Sequence, residues 1–263
     1  MIIGFIGCGN MAQAMIGGIV ESKMVNADEI IVSNPSIDKL TKVNEKWGVH
    51  ITQNNLDVLQ ANYIILAVKP HYYETVILEI QQHLKPSQVV VSIAPGKTLH
   101  QLQTLFLQEQ KLIRAMPNTP AMVGCGMTAV CANEVVTKEE LTELCNIFDG
   151  FGKTSVIKEN MMEAVISVSG SSPAYVYLFI ESLADGAVRE GMPREQAIEF
   201  AAQAVYGSAK MVLETGIHPA ALKDAVCSPG GTTIEAVCAL ERGNFRASIE
   251  EAMRACANKA REM

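Results

Sequence analysis

A glycine-rich turn near the start of the chain is the clearest sign of chemistry. Gly7-Cys8-Gly9-Asn10-Met11-Ala12 follows a short apolar segment and precedes a stretch with helical periodicity. A strand, a turn of this kind and a helix together bind the pyrophosphate of a dinucleotide. Gly7 permits the tight turn, Gly9 lets the backbone approach a phosphate, and Ala12 stands in for a third glycine. The first amides of the helix face the anion, with the positive end of the helix dipole behind them. The turn therefore predicts a dinucleotide-binding site.

The end of the second predicted strand bears on which dinucleotide binds. Residues 30–33 form that strand, and Ser33 and Asn34 stand where NAD-binding proteins carry an Asp or Glu for the ribose 2′-hydroxyl. Without a carboxylate there is no repulsion against a 2′-phosphate, and Ser33, Asn34 and Lys39 could hydrogen-bond to one. The residues thus favour NADP over NAD. The alternative is that this segment is only a turn and that the choice between NADPH and NADH is loose.

Three loops in the first half follow predicted strands, where the crevice of an open α/β sheet lies. Ala67-Val68-Lys69-Pro70 places a cation beside that crevice, the alternative being a surface lysine. Small residues in Ser92-Ile93-Ala94-Pro95-Gly96 would let a flat nicotinamide ring lie against the backbone, and an ordinary turn explains them equally well. Two prolines in Met116-Pro117-Asn118-Thr119-Pro120 fix the backbone, which favours a role in the crevice over a rigid connection.

Two polar, glycine-rich stretches precede predicted helices in the second half. They are Ser169-Gly170-Ser171-Ser172-Pro173 and Ser228-Pro229-Gly230-Gly231-Thr232-Thr233. Backbone amides at a helix start bind a carboxylate as readily as a phosphate, so one such start can hold the cofactor and another an anionic substrate. The alternative is an ordinary side-chain cap. Paired glycines favour the binding role, because close backbone approach needs a missing Cβ, whereas a cap needs only one side chain.

Composition restricts the class of protein. The chain has 263 residues, 49% of them hydrophobic, and a net charge of -7 with no basic cluster, which argues against a nucleic-acid partner and for a small molecule. Seven scattered cysteines without a Cys-x-x-Cys spacing and five dispersed histidines indicate reduced thiols and no metal site. We find no signal peptide before the first strand and no apolar run of membrane-spanning length, so we expect a cytoplasmic protein away from membranes.

The elements that must position these residues change type along the chain. Continuous apolar strands alternate with helices up to residue 159, which indicates a parallel sheet covered on both faces. From residue 160 the pattern is helical, with recurring alanines that allow close helix packing. We therefore expect an α/β protein: an N-terminal Rossmann-type doubly wound sheet over 1–159, followed by an all-α C-terminal oligomerisation domain over 160–263. Subunit association would bury the apolar helices, the alternative being a compact monomer.

Taken together, these motifs resemble the pyrroline-5-carboxylate reductase family over essentially the whole chain. The segments that carry the resemblance are 4–11, 67–70, 116–120, 169–175, 218–219 and 228–234. The resemblance implies hydride transfer from NAD(P)H to the C=N carbon of 1-pyrroline-5-carboxylate, giving L-proline in the last step of proline biosynthesis. It also implies that Asn55 holds the cofactor, that Thr233 lies by the ring nitrogen, and that the amides after Gly231 meet the substrate carboxylate. Family members form homodimers that often assemble into decamers.

Residue patterns and resemblance together define the expected site. The cofactor-binding residues are Gly7, Cys8, Gly9, Asn10, Met11, Ala12, Ser33, Asn34, Asn55, Ala67, Val68, Lys69, Pro70, Ala94, Gly96 and Asn118. The substrate-binding residues are Ser171, Pro173, Ser228, Gly230, Gly231, Thr232 and Thr233, with Thr233 as the catalytic residue. Two positions depart from the family, which usually has Ala at Pro95 and Gly at Ser172. Alternatives are another Rossmann imine or β-hydroxyacid reductase, an F420-dependent NADP reductase, and a redox sensor that binds dinucleotide without turnover.

Overall fold

The structure, a computed structural model, describes residues 1–262 and forms two compact units. The first consists of residues 1–171 together with the chain from Cys256 onward, and the second of Ser172–Ala255. These units divide the chain later than the predicted domains, which meet at residue 159/160. The reason is packing: Met162, Ile166 and Ala260 share one buried apolar cluster with Met116 of the sheet.

An eight-stranded sheet in the order β3-β2-β1-β4-β5-β6-β7-β8 forms the centre of the first unit. The strands are β1 Ile3–Ile6, β2 Ile30–Ser33, β3 His50–Thr52, β4 Tyr63–Leu66, β5 Val89–Ser92, β6 Lys111–Met116, β7 Gly126–Ala132 and β8 Gly152–Val156. All neighbouring pairs are parallel except β6 and β7, which are antiparallel. The predicted Rossmann-type sheet is confirmed, and the strand reversal between β6 and β7 is a feature that the sequence analysis did not specify.

Helices cover both faces of this sheet. They are α1 Asn10–Glu21, α2 Ile37–Trp47, α3 Tyr73–Ile80, α4 Leu99–Gln103, α5 Lys138–Phe148 and α6 Met162–Val165, and a π-helix, Ile166–Gly170, continues α6. Alternate residues of the central strands enter two separate apolar clusters: Tyr63 and Ile65 lie in one, Ile64 and Leu66 in the other. Burial on both faces explains why these strands read as unbroken apolar runs.

The second unit is helical, as predicted. It contains α7 Ser172–Arg189, α8 Arg194–Thr215, α9 Pro219–Val226, α10 Thr232–Arg242 and most of α11 Phe245–Arg261, whose last residues belong to the first unit. Its buried cluster consists of three alanines, Ala184, Ala197 and Ala201, where α7 packs on α8. Large apolar side chains of this unit stay exposed instead of entering a core. Among residues 1–262, no helix has the length and apolar character needed to cross a membrane.

Candidate functional site

The glycine turn after β1 has the geometry that an anion site requires. Gly7 has a φ of 106°, and a Cβ there would lie 2.6 Å from the carbonyl oxygen of Ala67, so only glycine fits. A Cβ on Gly9 would meet nothing within 4 Å. Gly9 is the N-cap of α1 and provides no side-chain cap, and the first turn carries no acidic residue. The open space beside Gly9 and the uncapped start of α1 leave room for a phosphate at the first amides.

Other residues of the turn divide between the interior and the surface. Cys8 and Ala12 are each 1% exposed and pack in the core on the α1 face of the sheet. Burial raises the pKa of the Cys8 thiol, which lies 3.9 Å from the carbonyl oxygen of Lys39. Asn10 is exposed and Met11 is half-buried. The backbone of Cys8 therefore belongs to the predicted site, while its side chain belongs to the core.

Ser33 does not present its hydroxyl to the surface. It is fully buried at the end of β2, where its hydroxyl donates to Oδ1 of Asn55 over 2.7 Å. Asn55 in turn donates from Nδ2 to the Glu79 carboxylate at 2.8 Å. Asn34 is half-buried and Lys39 is exposed. The predicted contact of the Ser33 hydroxyl with a 2′-phosphate thus gives way to a supporting role, in which Ser33 orients Asn55.

The loop after β4 presents its cation to solvent. Lys69 is exposed and, within the described part of the chain, makes no ion pair. Ala67 and Val68 are half-buried beside the glycine turn. Pro70 begins a short 3-10 helix four residues after the last residue of the strand, Leu66, so it starts an element and does not itself stop the strand. Proline is favoured at the first position of a helix because its missing N–H is not needed there.

Tyr73 supports the site in a way that the sequence analysis missed. It is 1% exposed, and its hydroxyl donates to the carbonyl of Leu66 at 2.6 Å and accepts from Ser92 at 3.2 Å. The amide of Ala94 donates to the same Ser92 hydroxyl at 3.4 Å. Burial raises the pKa of Tyr73 to about 12. One phenol therefore joins the ends of β4 and β5, the two strands that precede predicted cofactor loops. A tyrosine within a helical pattern gives no sequence signal for this role.

An ion pair supports the loop after β5. Gly96 has a φ of 75°, and Ala94 is buried. The loop ends at α4, where the amide of Leu99 donates to Glu159 at 2.7 Å. The same carboxylate oxygen accepts from Arg114 at 2.7 Å, and Arg114 is 2% exposed. Neither charged residue was a candidate in the sequence analysis, because their pairing across 45 positions depends on the fold.

Both polar atoms of the Asn118 side-chain amide form hydrogen bonds within the first unit. Oδ1 accepts from the amide of Met127 at 2.9 Å, and Nδ2 donates to the carbonyl of Ser169 at 3.0 Å. With 7% exposure, the side chain has little surface left. The prediction that Asn118 binds the cofactor therefore does not extend to its amide group, which joins the loop after β6 to the π-helix.

A second glycine-capped helix start lies in the second unit. Gly231, the N-cap of α10, has φ -81° and ψ 168°, close to the -81° and 178° of Gly9, and it too provides no side-chain cap. Gly230 has a φ of 68°, and a Cβ on Gly231 would collide with the side chain of Ser228. By contrast, Thr98 and Thr137 cap α4 and α5 with their side chains. Other helices, α2, α3 and α8, also begin without a side-chain cap, so what α1 and α10 share is a glycine at the N-cap together with that open start.

The remaining predicted substrate residues are divided between the two units, since the first unit ends at Ser171 and the second begins at Ser172. Thr233 is half-buried in the first turn of α10, and its hydroxyl has no hydrogen-bond partner within residues 1–262. Ser228 and Thr232 are exposed. Ser171 closes the first unit, whereas Pro173 lies in the first turn of α7 in the second. The first unit therefore holds the predicted cofactor residues, and the second holds Thr233 with the glycine pair.

The sheet, the glycine turn and the helical unit that follows define a Rossmann-type dinucleotide-binding oxidoreductase. Residues 2–96 match the family model described as "NADP oxidoreductase coenzyme F420-dependent", and residues 159–263 match "Pyrroline-5-carboxylate reductase dimerisation". A pyrroline-5-carboxylate reductase of Escherichia coli (strain K12) is 53% identical over 99% of this chain and 97% of its own length. The chain belongs to the pyrroline-5-carboxylate reductase family, and the resemblance predicted from its motifs is confirmed.

Solved structures of the same family agree with the fold. A pyrroline-5-carboxylate reductase from Coxiella burnetii superposes with a TM-score of 0.92 at 38% identity, covering 99% of this chain and 97% of that one. The Plasmodium falciparum enzyme, solved with NADP bound, gives a TM-score of 0.90 at 31% identity, covering 100% of this chain and 97% of that one. Both likenesses span the two units, so the family assignment extends over the whole chain.

Proposed function

We propose that this protein is a pyrroline-5-carboxylate reductase that acts in the cytoplasm and converts 1-pyrroline-5-carboxylate to L-proline, the last step of proline biosynthesis. The observation that carries the proposal is the pair of glycine-capped helix starts at Gly9 and Gly231, both without a side-chain cap. One suits a pyrophosphate and the other a carboxylate. Membership of the family and the NADP in the Plasmodium falciparum relative support this reading.

The first unit would hold NADPH, and its geometry fits that group. A Cβ on Gly9 would meet nothing within 4 Å and no side chain caps α1, which leaves the first amides of this helix available to a pyrophosphate. Lys69 in the loop after β4 and Lys39 in the first turn of α2, which follows β2, are exposed cations, and Asn55 is oriented by Ser33. When bound, NADPH supplies the hydride that reduces the C=N carbon. Residues 1–159 thus form the proposed cofactor domain.

The second half would hold and orient the imine. The amides after Gly231 bind its carboxylate, and the Thr233 hydroxyl, which has no partner within residues 1–262, hydrogen-bonds to the ring nitrogen. A protonated imine is already electrophilic, so these residues need only hold it within near-attack distance, roughly 3 to 3.5 Å from the reacting atom. Thr233 or water then hydrogen-bonds to the nitrogen as it becomes an amine. Ser171, Pro173, Ser228, Gly230 and Thr232 complete the proposed substrate site.

Association of two chains is part of the proposal. Tyr177, Leu178, Phe200 and Leu213 of the second unit are 60 to 69% exposed, and the family model for residues 159–263 describes a dimerisation region. Exposed apolar surface on this scale marks a protein contact. We therefore propose a homodimer, formed through residues 160–263, that assembles further into a decamer.

Absorbance at 340 nm during incubation with 1-pyrroline-5-carboxylate tests the function. We expect NADPH to be consumed with formation of L-proline, and to be preferred over NADH. Keto acids should not replace the imine. Binding of NADPH without its oxidation would instead favour the redox sensor, and oxidation with β-hydroxyacid substrates would favour another reductase of this fold.

Thr233→Ala tests the proposed catalytic residue. Because the hydroxyl would hydrogen-bond to the reacting nitrogen and not to the cofactor, we expect kcat to fall by about 10- to 100-fold while the Kd of NADPH stays nearly constant. Thr215→Ala is a matched control, since the exposed Thr215 hydroxyl makes only local contacts at the end of α8: it donates to the carbonyl of Met211 and accepts from the amide of Ile217. Equal losses in turnover and in NADPH affinity would remove Thr233 from the catalytic role.

A further inference from the structure

Asn118 joins two segments of the first unit that lie far apart in sequence. Its Oδ1 accepts from Met127 at the start of β7, and its Nδ2 donates to Ser169, 51 positions later in the chain. Both polar ends of a buried amide are thereby satisfied, and each bond fixes one segment against the other. The side chain does not extend to a ligand, so its contribution must come from what it holds in place.

The carbonyl that Asn118 binds belongs to an unusual helical segment. The chain passes this point as a π-helix, Ile166–Gly170, a form that is rare and concentrated at functional sites. The Nδ2 of Asn118 donates to Ser169 from outside this π-helix and so joins it to the loop after β6.

Further contacts of the first unit hold the same turn. The amide of Ser171 donates to the carbonyl of Ile166 at 2.8 Å, which closes the π-turn. The Ile166 side chain is buried in one cluster with Met116, two residues before Asn118. The thiol of Cys256 donates to the Ser171 hydroxyl at 3.2 Å. Ser171 is therefore held through its backbone and its side chain, and Asn118 fixes the carbonyl two residues before it.

We infer that Asn118 is a positioning residue for the substrate: by donating to the carbonyl of Ser169, it fixes the turn that leads into the substrate stretch at Ser171. The inference rests on the proposed function in so far as it concerns the imine. It assigns Asn118 to the substrate and not to the cofactor, the reverse of what its place after a sheet strand suggests.

Asn118→Asp tests this assignment with little change in shape. One carboxylate oxygen can still accept from Met127, while the other replaces the donor and faces the carbonyl of Ser169. We expect the KM for 1-pyrroline-5-carboxylate to rise by roughly 5- to 100-fold, the range that one lost buried hydrogen bond spans. The Kd of NADPH should change by no more than about twofold. Amide hydrogen exchange within residues 166–171 should accelerate. If Asn118→Asp does not fold, the neutral Asn118→Ser serves in its place.

Asn133→Asp is the matched control. Asn133 also bridges with both ends of its amide, accepting from Leu112 at 3.1 Å and donating to Gln110 at 2.7 Å. It lies at the opposite end of β6 and β7 from Asn118. The same change of charge and the same lost donor at Asn133 should leave the KM for the imine and exchange within 166–171 unchanged.

The KM for the imine, the Kd of NADPH and the exchange rates within 166–171 together decide the inference. A rise in the Kd of NADPH with an unchanged KM for the imine would overturn the inference and return Asn118 to the cofactor. Unchanged exchange within 166–171 would also overturn it. If the wild-type protein fails to reduce the imine, the proposed function fails, and the exchange comparison still decides whether Asn118 holds the turn.

Discussion

Single polar side chains stabilise the edge of the sheet where the proposed site lies, and Tyr73 gives the clearest test. Its buried hydroxyl bonds to Leu66 and Ser92. Tyr73→Phe removes the donor to the Leu66 carbonyl and the acceptor of the Ser92 hydroxyl, so we expect the free energy of unfolding to fall by about 1 to 3 kcal/mol in urea denaturation. The adjacent Tyr72 is 53% exposed and provides the control, since Tyr72→Phe should change stability by less than about 0.5 kcal/mol. Equal stability of the two variants would refute this role.

The stabilisation of the fold by Tyr73 depends on pH, because only the neutral phenol suits its buried position. Burial raises its pKa from 10.0 to about 12 in the folded protein, so folding favours the neutral phenol. The contribution of Tyr73 to the free energy of unfolding is therefore complete below pH 10, the ordinary pKa of a tyrosine in the unfolded chain. This contribution is lost as the pH rises from 10 towards 12. Over that interval wild type should lose stability faster than Tyr73→Phe, a difference that denaturation curves at pH 8 and 11 would measure.

At the scale of elements, the Arg114–Glu159 pair fixes the start of α4 relative to β6. Glu159 accepts from Leu99 and Arg114, and Arg114 lies beside Ser92 in the sheet register. Glu159→Ala would leave a buried guanidinium without its carboxylate, a loss that the one-third exposure of Glu159 moderates. We expect about 1 to 3 kcal/mol lower stability in urea denaturation. Glu134→Ala, at an exposed carboxylate, should have almost no effect, and an equal effect of both variants would contradict the argument.

Features that depend on neighbouring residues could be predicted from the sequence, whereas features that depend on distant residues could not. Strands, helix starts and the glycine turn depend on neighbouring residues, so Gly7, Gly9 and Gly231 could be recognised by local pattern. The antiparallel pairing of β6 with β7 and the Arg114–Glu159 pair depend on partners that only the folded chain brings together. Ser33 and Asn118 illustrate the limit: their place after a strand was visible, but their internal hydrogen bonds were not.

At the scale of the whole molecule, the second unit has too small a core for the apolar surface it carries. Three alanines form its buried cluster, whereas Leu178, Phe200 and Leu213 are 64, 66 and 69% exposed. Burying one such side chain contributes roughly 1.5 to 3 kcal/mol, so covering several of them in a partner chain would stabilise both copies. The apolar helices therefore argue for an obligate assembly in which stability and association are coupled.

Sedimentation velocity tests this coupling. We expect wild type to sediment as a dimer or a larger assembly at assay concentrations, and Phe200→Glu to shift it towards the monomer because a charge would be buried in the interface. Leu107→Glu is the control: Leu107 is 72% exposed in the first unit and should leave the assembly unchanged. A stable, active wild-type monomer, or an assembly indifferent to Phe200→Glu, would show that the exposed face serves another purpose. Loss of thermal stability together with dissociation would show that the second unit depends on its partner to stay folded.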